Sequence, residues 1–389
     1  MADANAITIG IVAGEESGQL LAADLLDALQ VRLGRKITLL GVGGSRLERF
    51  GLKSLFEADE IALTGVTSVV ARAPKLLARI RQTADVFIAA APEIVLFIDS
   101  PDFSARVARR LKAARPATPT VKYVCPTVWA WRPGRAAKMV ELYDHVLALF
   151  PFEPSVMEDL GGPPTTYVGH RLLSDDRLMR VWDERRQRVP SAAVTNLLLL
   201  PGSRRAEIDA LLPDMEATVK VLSERGHALC VTIPAVERHA LHIRDAVAGW
   251  PADVMVKVVS GDEAKIAAYR NADVAIAASG TVLLELAIAG IPAISLYRVD
   301  PLMKPFIKMI TSWSMALPNI IADRVVINEY YDQLIHPPLL ARLAEELAAP
   351  VGPKRDVIMD GYVAVRETMA LDNPSSDTAA AVLQNILQK

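Results

Sequence analysis

Short apolar runs separated by amphipathic stretches recur in two series along the chain, and that rhythm restricts the fold more than any other feature. The first series is Ile7 to Val12, Ile37 to Val42, Ile94 to Ile98, Val121 to Val124 and Val146 to Leu149, with helical patterns between at Leu20 to Val31, Lys75 to Ala90 and Phe103 to Ala113. The second is Asn196 to Leu200, Ala228 to Ile233, Val254 to Val258, Val274 to Ala277 and Ala293 to Leu296. Runs apolar at consecutive positions suit strands buried on both faces, so the alternation predicts parallel sheets covered by helices on either side. Two series predict two doubly wound, Rossmann-like α/β domains, and 389 residues give each enough chain for its own core. The join is expected near Gly169 to Asp176, ahead of the charged helix Arg177 to Arg188. Helical patterns at Leu339 to Ala348, Lys354 to Met369 and Ser376 to Leu387 close the chain with no strand left to pair.

Two strands of the second series run into turns suited to anions. Leu197 to Leu200 leads into Pro201-Gly202-Ser203-Arg204, and Val274 to Ala277 leads into Ser279-Gly280-Thr281. In each a glycine permits close backbone approach, and a helix then begins with free N–H groups and the positive end of its dipole. Two such ends in one half-chain suit a diphosphate, with Glu285 further along the helix for sugar hydroxyls, so a nucleotide diphosphate is the expected ligand. Arg204 places positive charge where the dipole opposes it, which a bound phosphate would offset; Arg205 has this role or a solvated one. Ligands of open α/β sheets bind beyond the carboxyl ends of the strands, so two facing domains predict a cleft with sites on both walls. The other wall would carry Ala13-Gly14-Glu15-Glu16-Ser17-Gly18 after the first strand and Asp99 at the end of the third. Asp99, partly desolvated, is a candidate proton acceptor with Glu15 in reserve. Ser17 and Asp102 are expected to cap the helices that follow.

The composition removes several classes of function. Lys plus Arg number 43 against 45 Asp plus Glu, so no overall basic field points to nucleic acid. Cys125 and Cys230 are the only cysteines, with no Cys/His cluster, which fits a reducing compartment and no structural zinc. No basic and apolar leader and no apolar run near 20 residues is present, so neither a secretory signal nor a membrane-spanning helix is expected. Yet 51% hydrophobic residues and a mean hydropathy of +0.25 call for strands buried on both faces or for apolar surface meeting a membrane. Arg72 to Arg81 and Pro301 to Ile310 with Trp313 mix basic and apolar residues in the manner of an interfacial segment, or of an amphipathic helix packed on a sheet. His170, at a strand end between the domains, reads as a hinge residue or a substrate contact. Trp129-Ala130-Trp131-Arg132 reads as a lining of the cleft.

The chain resembles the lipid-A-disaccharide synthases over nearly its whole length. The resemblance rests on AGEESG at 13 to 18, IDSPDF at 98 to 103, PTVWAWR at 126 to 132, LFPFEP at 149 to 154 and VGH at 168 to 170. It continues through PGSRRAE at 201 to 207, ASGTVLLE at 278 to 285 and LPN at 317 to 319. It implies the two-domain GT-B glycosyltransferase architecture, with an N-terminal acceptor and membrane-side domain over 1–172 and a C-terminal donor domain over 173–352. Helices over about 353–389 would pack back on the N-terminal domain. The donor implied is UDP-2,3-diacylglucosamine and the acceptor 2,3-diacylglucosamine 1-phosphate; the products are the β-1,6-linked disaccharide 1-phosphate and UDP.

Carried over residue by residue, the resemblance puts donor binding on Gly202, Ser203, Arg204, Ser279, Gly280, Thr281, Glu285 and Asn319, with Ser17 and Gly18 across the cleft. It makes Asp99 the catalytic carboxylate. No cofactor or metal is expected, the nucleotide sugar being a substrate. The partners implied are the two acylated sugars and anionic lipids at the cytoplasmic face of the inner membrane, without nucleic acid; a homodimer stands open beside a monomer. The sequence departs from the family pattern at Gln19, where Asp is usual, and at Ser68, where Glu is usual. A UDP-sugar 2-epimerase of the same architecture and a non-catalytic nucleotide-sugar-binding protein are the alternative readings.

Overall fold

The computed structural model describes residues 6–61, 73–188, 194–299 and 309–388. In chain order the elements are β1 (Ala6–Val12), α1 (Glu16–Leu33), β2 (Lys36–Val42), α2 (Ala73–Ala90), β3 (Ile94–Phe97), α3 (Pro101–Ala114), β4 (Thr120–Tyr123), α4 (Arg135–Met139), β5 (His145–Ala148), α5 (Glu153–Asp159) and β6 (Thr165–Tyr167). They continue with α6 (Asp176–Gln187), β7 (Thr195–Leu200), α7 (Arg205–Glu224), β8 (Leu229–Ala235), α8 (Glu237–Val247), β9 (Met255–Ser260), α9 (Asp262–Asn271), β10 (Val274–Ala278), α10 (Thr281–Ala289), β11 (Ala293–Tyr297), α11 (Leu317–Ile321), β12 (Asn328–Tyr331), α12 (Pro337–Ala348), α13 (Pro353–Met369) and α14 (Ser375–Leu387). The chain forms two units. The first holds Met1–Arg171, Met309–Thr311 and Leu371–Lys389, and the second Leu172–Lys308 and Ser312–Ala370.

In the first unit the strands form a parallel sheet in the order β2-β1-β3-β4-β5-β6. Its central strand β3 is continuously apolar because each face meets helices. Ile94 and Leu96 of β3 join Ile9, Ile11 and Val121 in a layer covered by Leu25, Leu26 and Leu29 of α1 and by Ala379, Ala380 and Leu383 of α14. Val95 and Phe97 of the same strand point the other way, into a layer with Phe87 of α2, Val107 and Leu111 of α3 and Met139 of α4. Burying one such aliphatic or aromatic side chain is worth roughly 1.5–3 kcal/mol, so these two layers hold the sheet.

The second unit repeats the plan, with parallel order β12-β11-β10-β7-β8-β9. Leu197 to Leu200 of β7 and Val274 to Ala278 of β10 are buried along their lengths, as central strands must be. Two strands escape the apolar-run criterion. β6 (Thr-Thr-Tyr) and β12 (Asn-Glu-Tyr-Tyr) are sheet edges, half-buried, and carry no apolar run.

The C-terminal helices part company. α14 packs on α1 in the first unit, as expected of a returning helix, whereas α13 belongs to the second unit, where Gly361 abuts Val326 and the Tyr362 hydroxyl donates to the Ile291 carbonyl at 3.1 Å. The expectation that all of 353–389 packs on the N-terminal domain is therefore corrected: Tyr362, Val365 and Met369 are fully buried on the second unit's side of the division at Leu371.

Candidate active site

The order of each sheet contains one place where successive crossovers diverge, and there the loops beyond two neighbouring strands open a crevice. In the second unit that place lies between β7 and β10. The turns at Gly202–Arg204 and Ser279–Thr281 therefore line one cavity of about 670 Å³, with Glu285 of α10, Pro234 to Glu237 from the end of β8 to the start of α8, and Gly261, Asp262 and Lys265 at the start of α9.

The two turns differ in one respect that the sequence did not reveal. Glu207 Oε2 accepts the N–H groups of Ser203 (3.2 Å) and Arg204 (3.3 Å), and Oε1 pairs with the Arg204 guanidinium at 2.9 Å. Here a carboxylate of the chain occupies amides expected to be free, closing a capping box at the start of α7. Gly202 stands at φ +119°, a conformation that side chains rarely adopt. At the other turn Gly280 caps α10 with no side-chain partner, leaving that helix end open to the cavity. Arg205 pairs with Asp209 at 3.5 Å and is not among the lining residues.

Glu285 is engaged from two sides. Its Oε2 accepts the Tyr269 hydroxyl at 2.8 Å and lies 2.5 Å from Lys265 Nζ. Burial and the adjacent carboxylate hold the Tyr269 hydroxyl well above its usual range. Lys265 brings a cation to the cavity that no motif announced. Asn319, expected to contact the donor, is 1% exposed and does not line the cavity. Its Oδ1 accepts the N–H groups of Val326 and Ile327, both at 2.8 Å, and its Nδ2 donates to the Ile327 carbonyl at 2.9 Å and to Ser314 Oγ at 3.1 Å. An amide so fully used holds the 314–329 segment together and has no capacity left for a ligand.

In the first unit the crossovers diverge between β1 and β3, and Asp99 sits there. Its Oδ1 accepts the Gly14 N–H at 2.8 Å and its Oδ2 the Glu15 N–H at 2.7 Å, so the carboxylate fastens the 13–18 loop to the end of β3. Ser100 Oγ lies 3.0 Å from Oδ1, on a backbone held at φ +46°, which is strained for serine. A Cβ on Gly18 would collide with Oδ2, so only glycine leaves that oxygen room. Lys122 of β4, 2% exposed, donates to the Asp99 carbonyl at 3.0 Å, and burial brings its ammonium down to about 8 despite the pull of Asp99. Gln19 is buried, with its Nε2 3.5 Å from the Gly14 carbonyl. Ser17 does not cap α1: the cap position is Glu15, and Ser17 stands exposed inside the first turn. Asp102 likewise lies within the first turn of α3, after the cap Ser100, and pairs with Arg135.

The aromatic block is organised by a buried acid. Glu153, 2% exposed, accepts the N–H groups of Leu149 and Phe150 on Oε2, both at 3.0 Å, and the Trp129 indole N–H on Oε1 at 3.3 Å. Burial raises its carboxyl to about 8. Phe150 stacks on the half-buried His170 with ring centres 5.6 Å apart, and burial lowers His170 to about 4. Trp131 carries the Arg132 guanidinium 5.2 Å above its ring and forms an antiparallel bridge with Ile310.

Of the two segments considered for a membrane, the cations of α2 are partly spoken for: Lys75 and Arg79 both pair with Glu60. Most of the other segment, and Ser68, lie outside the described residues; Met309, Ile310 and Trp313 are exposed, Trp313 by 55%. Among the described residues no helix is long and apolar enough to cross a membrane, and no three His, Cys, Asp or Glu gather as a metal site would require.

Known proteins agree with this arrangement. MurG of Acinetobacter baumannii aligns with a TM-score of 0.60 at 16% identity, covering 98% of this chain and 99% of that one. Phytolacca americana UGT2, solved with UDP-2fluoro-glucose and pterostilbene, aligns with a TM-score of 0.58 at 14% identity, covering 98% and 100%. At such identities the likeness speaks to fold, which is the GT-B architecture. The lipid-A-disaccharide synthase of Nitrobacter hamburgensis is 40% identical over 382 residues, 97% of this chain and 95% of that protein. A family model described as lipid-A-disaccharide synthetase matches residues 9–348, through both sheets and both crevices. The chain therefore belongs to the lipid-A-disaccharide synthetase family.

Proposed function

We propose that the chain transfers 2,3-diacylglucosamine from UDP to the 6′-hydroxyl of 2,3-diacylglucosamine 1-phosphate, with inversion at the anomeric carbon. Family membership makes it a glycosyltransferase of lipid A disaccharide synthesis. The observation that carries the donor half of the reading is the 670 Å³ cavity at the second sheet's crevice, which joins an open helix end, a basic residue and a carboxylate. The diphosphate would lie at Ser279 to Val282, with Arg204 exchanging Glu207 for a phosphate oxygen, and Glu285 would accept from a sugar hydroxyl.

In this reading Asp99 takes the proton of the acceptor hydroxyl. A carboxylate has about four lone-pair sites, and three accepted hydrogen bonds leave one, on the side that glycine at 18 keeps open. The acceptor oxygen bonds to the anomeric carbon as the bond to the β-phosphate breaks, and UDP departs with the electron pair. Fixed amides and Arg204 would carry the growing charge, so no metal is required. Contact with the acylated substrates at the inner membrane would be peripheral, through exposed apolar and basic residues.

The test is to incubate the protein with both sugars in detergent and follow disaccharide 1-phosphate and UDP by mass spectrometry, with and without EDTA. Product that is lost in Asp99→Asn and Arg204→Ala supports the reading. A folded protein that binds UDP but makes no disaccharide overturns it.

A further inference from the structure

The first unit has a further cavity to which no step of the reaction just described has been assigned. It measures about 170 Å³ and lies between α3, α4 and β4, where Arg106 and Arg109 of α3, Lys122 of β4, and Arg135 and Lys138 of α4 meet. Five cationic side chains face one carboxylate there, and that carboxylate, Asp102, is already paired with Arg135. Among the described residues the side chains of Arg106, Arg109 and Lys138 have neither hydrogen bond nor ion pair.

Lys122 is the telling member. It sits on the face of β4 that packs with Phe97 and Val146, 2% exposed, with one hydrogen bond, to the Asp99 carbonyl, for the three protons it can donate. An ammonium at such a place is costly, and the pull of the Asp99 carboxylate offsets only part of that cost. A chain whose net charge is −2 has no general surplus of cations to account for the cluster.

We propose that this cavity binds a phosphate monoester, the headgroup of an amphiphile. Its volume suits a single phosphate and part of a sugar or glycerol and is far below that of the nucleotide cavity, and guanidinium groups from two helices offer the forked donors that a phosphate takes. The Lys122 link to the Asp99 main chain makes an occupied cavity a brace for the end of β3. Two sources share this chemistry: the 1-phosphate of the acceptor, an identification that rests on the transferase reading, and the phosphate of an anionic lipid such as phosphatidic acid.

The experiment is calorimetric titration of the full chain, saturated with UDP, with glucosamine 1-phosphate, comparing wild type, the Arg109→Ala/Lys138→Ala double variant and the control Arg110→Ala, whose residue lies on α3 outside the cavity. Affinity for the probe should fall about tenfold or more in the double variant and stay within about twofold in the control. Equal affinity in wild type and double variant, or no binding to wild type, overturns the proposal.

Two further arms separate the sources. If the acceptor is the occupant, its KM rises about tenfold in the double variant with kcat and donor KM unchanged. If a lipid is the occupant, binding to phosphatidylcholine vesicles doped with phosphatidic acid falls instead, and binding to vesicles doped with phosphatidylglycerol, a diester, changes less. A protein that binds the probe in the cavity but makes no disaccharide would refute the transferase reading and leave the phosphate site standing.

Discussion

Trp129 donates its indole N–H to the buried carboxyl of Glu153, 3.3 Å away, and this bond fastens the 126–132 block to the 149–154 block. Because Glu153 also receives two backbone N–H groups on its other oxygen, the neutral acid satisfies all three donors, with the carbonyl oxygen facing the amides and the hydroxyl oxygen facing Trp129.

A pH dependence follows. The Glu153 carboxyl titrates near 8 in the fold against 4.5 ordinarily, so between those values the folded state holds a proton that the unfolded chain has lost. Stability is then greatest at the acid end and declines as pH rises. Between pH 6.5 and 8 the loss from this group should be about 2 kcal/mol. His170 works in the opposite sense but lower, its contribution being lost as pH falls from 6.5 through about 4. Denaturant unfolding of Glu153→Gln should be flatter than wild type across pH 6.5 to 8, and parallel curves would refute the assignment.

Asp99→Asn should have two separable effects. Loss of the base costs roughly 10²- to 10⁴-fold in turnover. An amide NH₂ set against the Gly14 or Glu15 N–H also loosens the 13–18 loop, by about 1–3 kcal/mol. On the proposed reading, in which the second unit holds the diphosphate, UDP affinity stays unchanged. A variant with normal turnover moves the assignment to Glu15.

Lys265→Met tests the cation that lines the cavity proposed for the nucleotide. UDP should bind about tenfold more weakly, and the salt dependence of its affinity should shrink, since one charge no longer contributes. Unaltered affinity at low salt would reduce Lys265 to a partner of Glu285.

Asn319→Ala should behave as a folding defect. The Val326 and Ile327 N–H groups would lose their common acceptor in a buried setting, at a cost of about 2–4 kcal/mol. The folded fraction should bind UDP within about twofold of wild type. A large loss of affinity with unchanged melting would restore a direct donor contact.

The strands that place the site were legible because burial on both faces leaves an unmistakable mark: Leu197 to Leu200 and Val274 to Ala277 could hardly be anything else. β6 and β12 left no mark, since an edge strand of three or four residues needs neither apolar runs nor alternation. The turns at Gly202 and Gly280 announced a ligand, but that Glu207 fills one of them depends on a side chain folding back along α7. Lys122 and Lys265 act on Asp99 and Glu285, distant in sequence, and Glu153 ties two nearby amides to the distant Trp129, none of which a local pattern encodes. Asn319 shows the converse, a motif residue whose place was plain while its role depended on the surrounding backbone.

The docking of α14 on α1 has a consequence for synthesis of the protein. Leu25, Leu26 and Leu29 are made well before the side chains that cover them, Ala379, Ala380 and Leu383, which follow the whole of the second unit in the chain. The first unit therefore cannot finish folding while the second is being translated, and its open apolar layer must be kept from other nascent chains throughout. A premature stop before Ser375 would leave the second unit's sequence complete and still expose the core of the first.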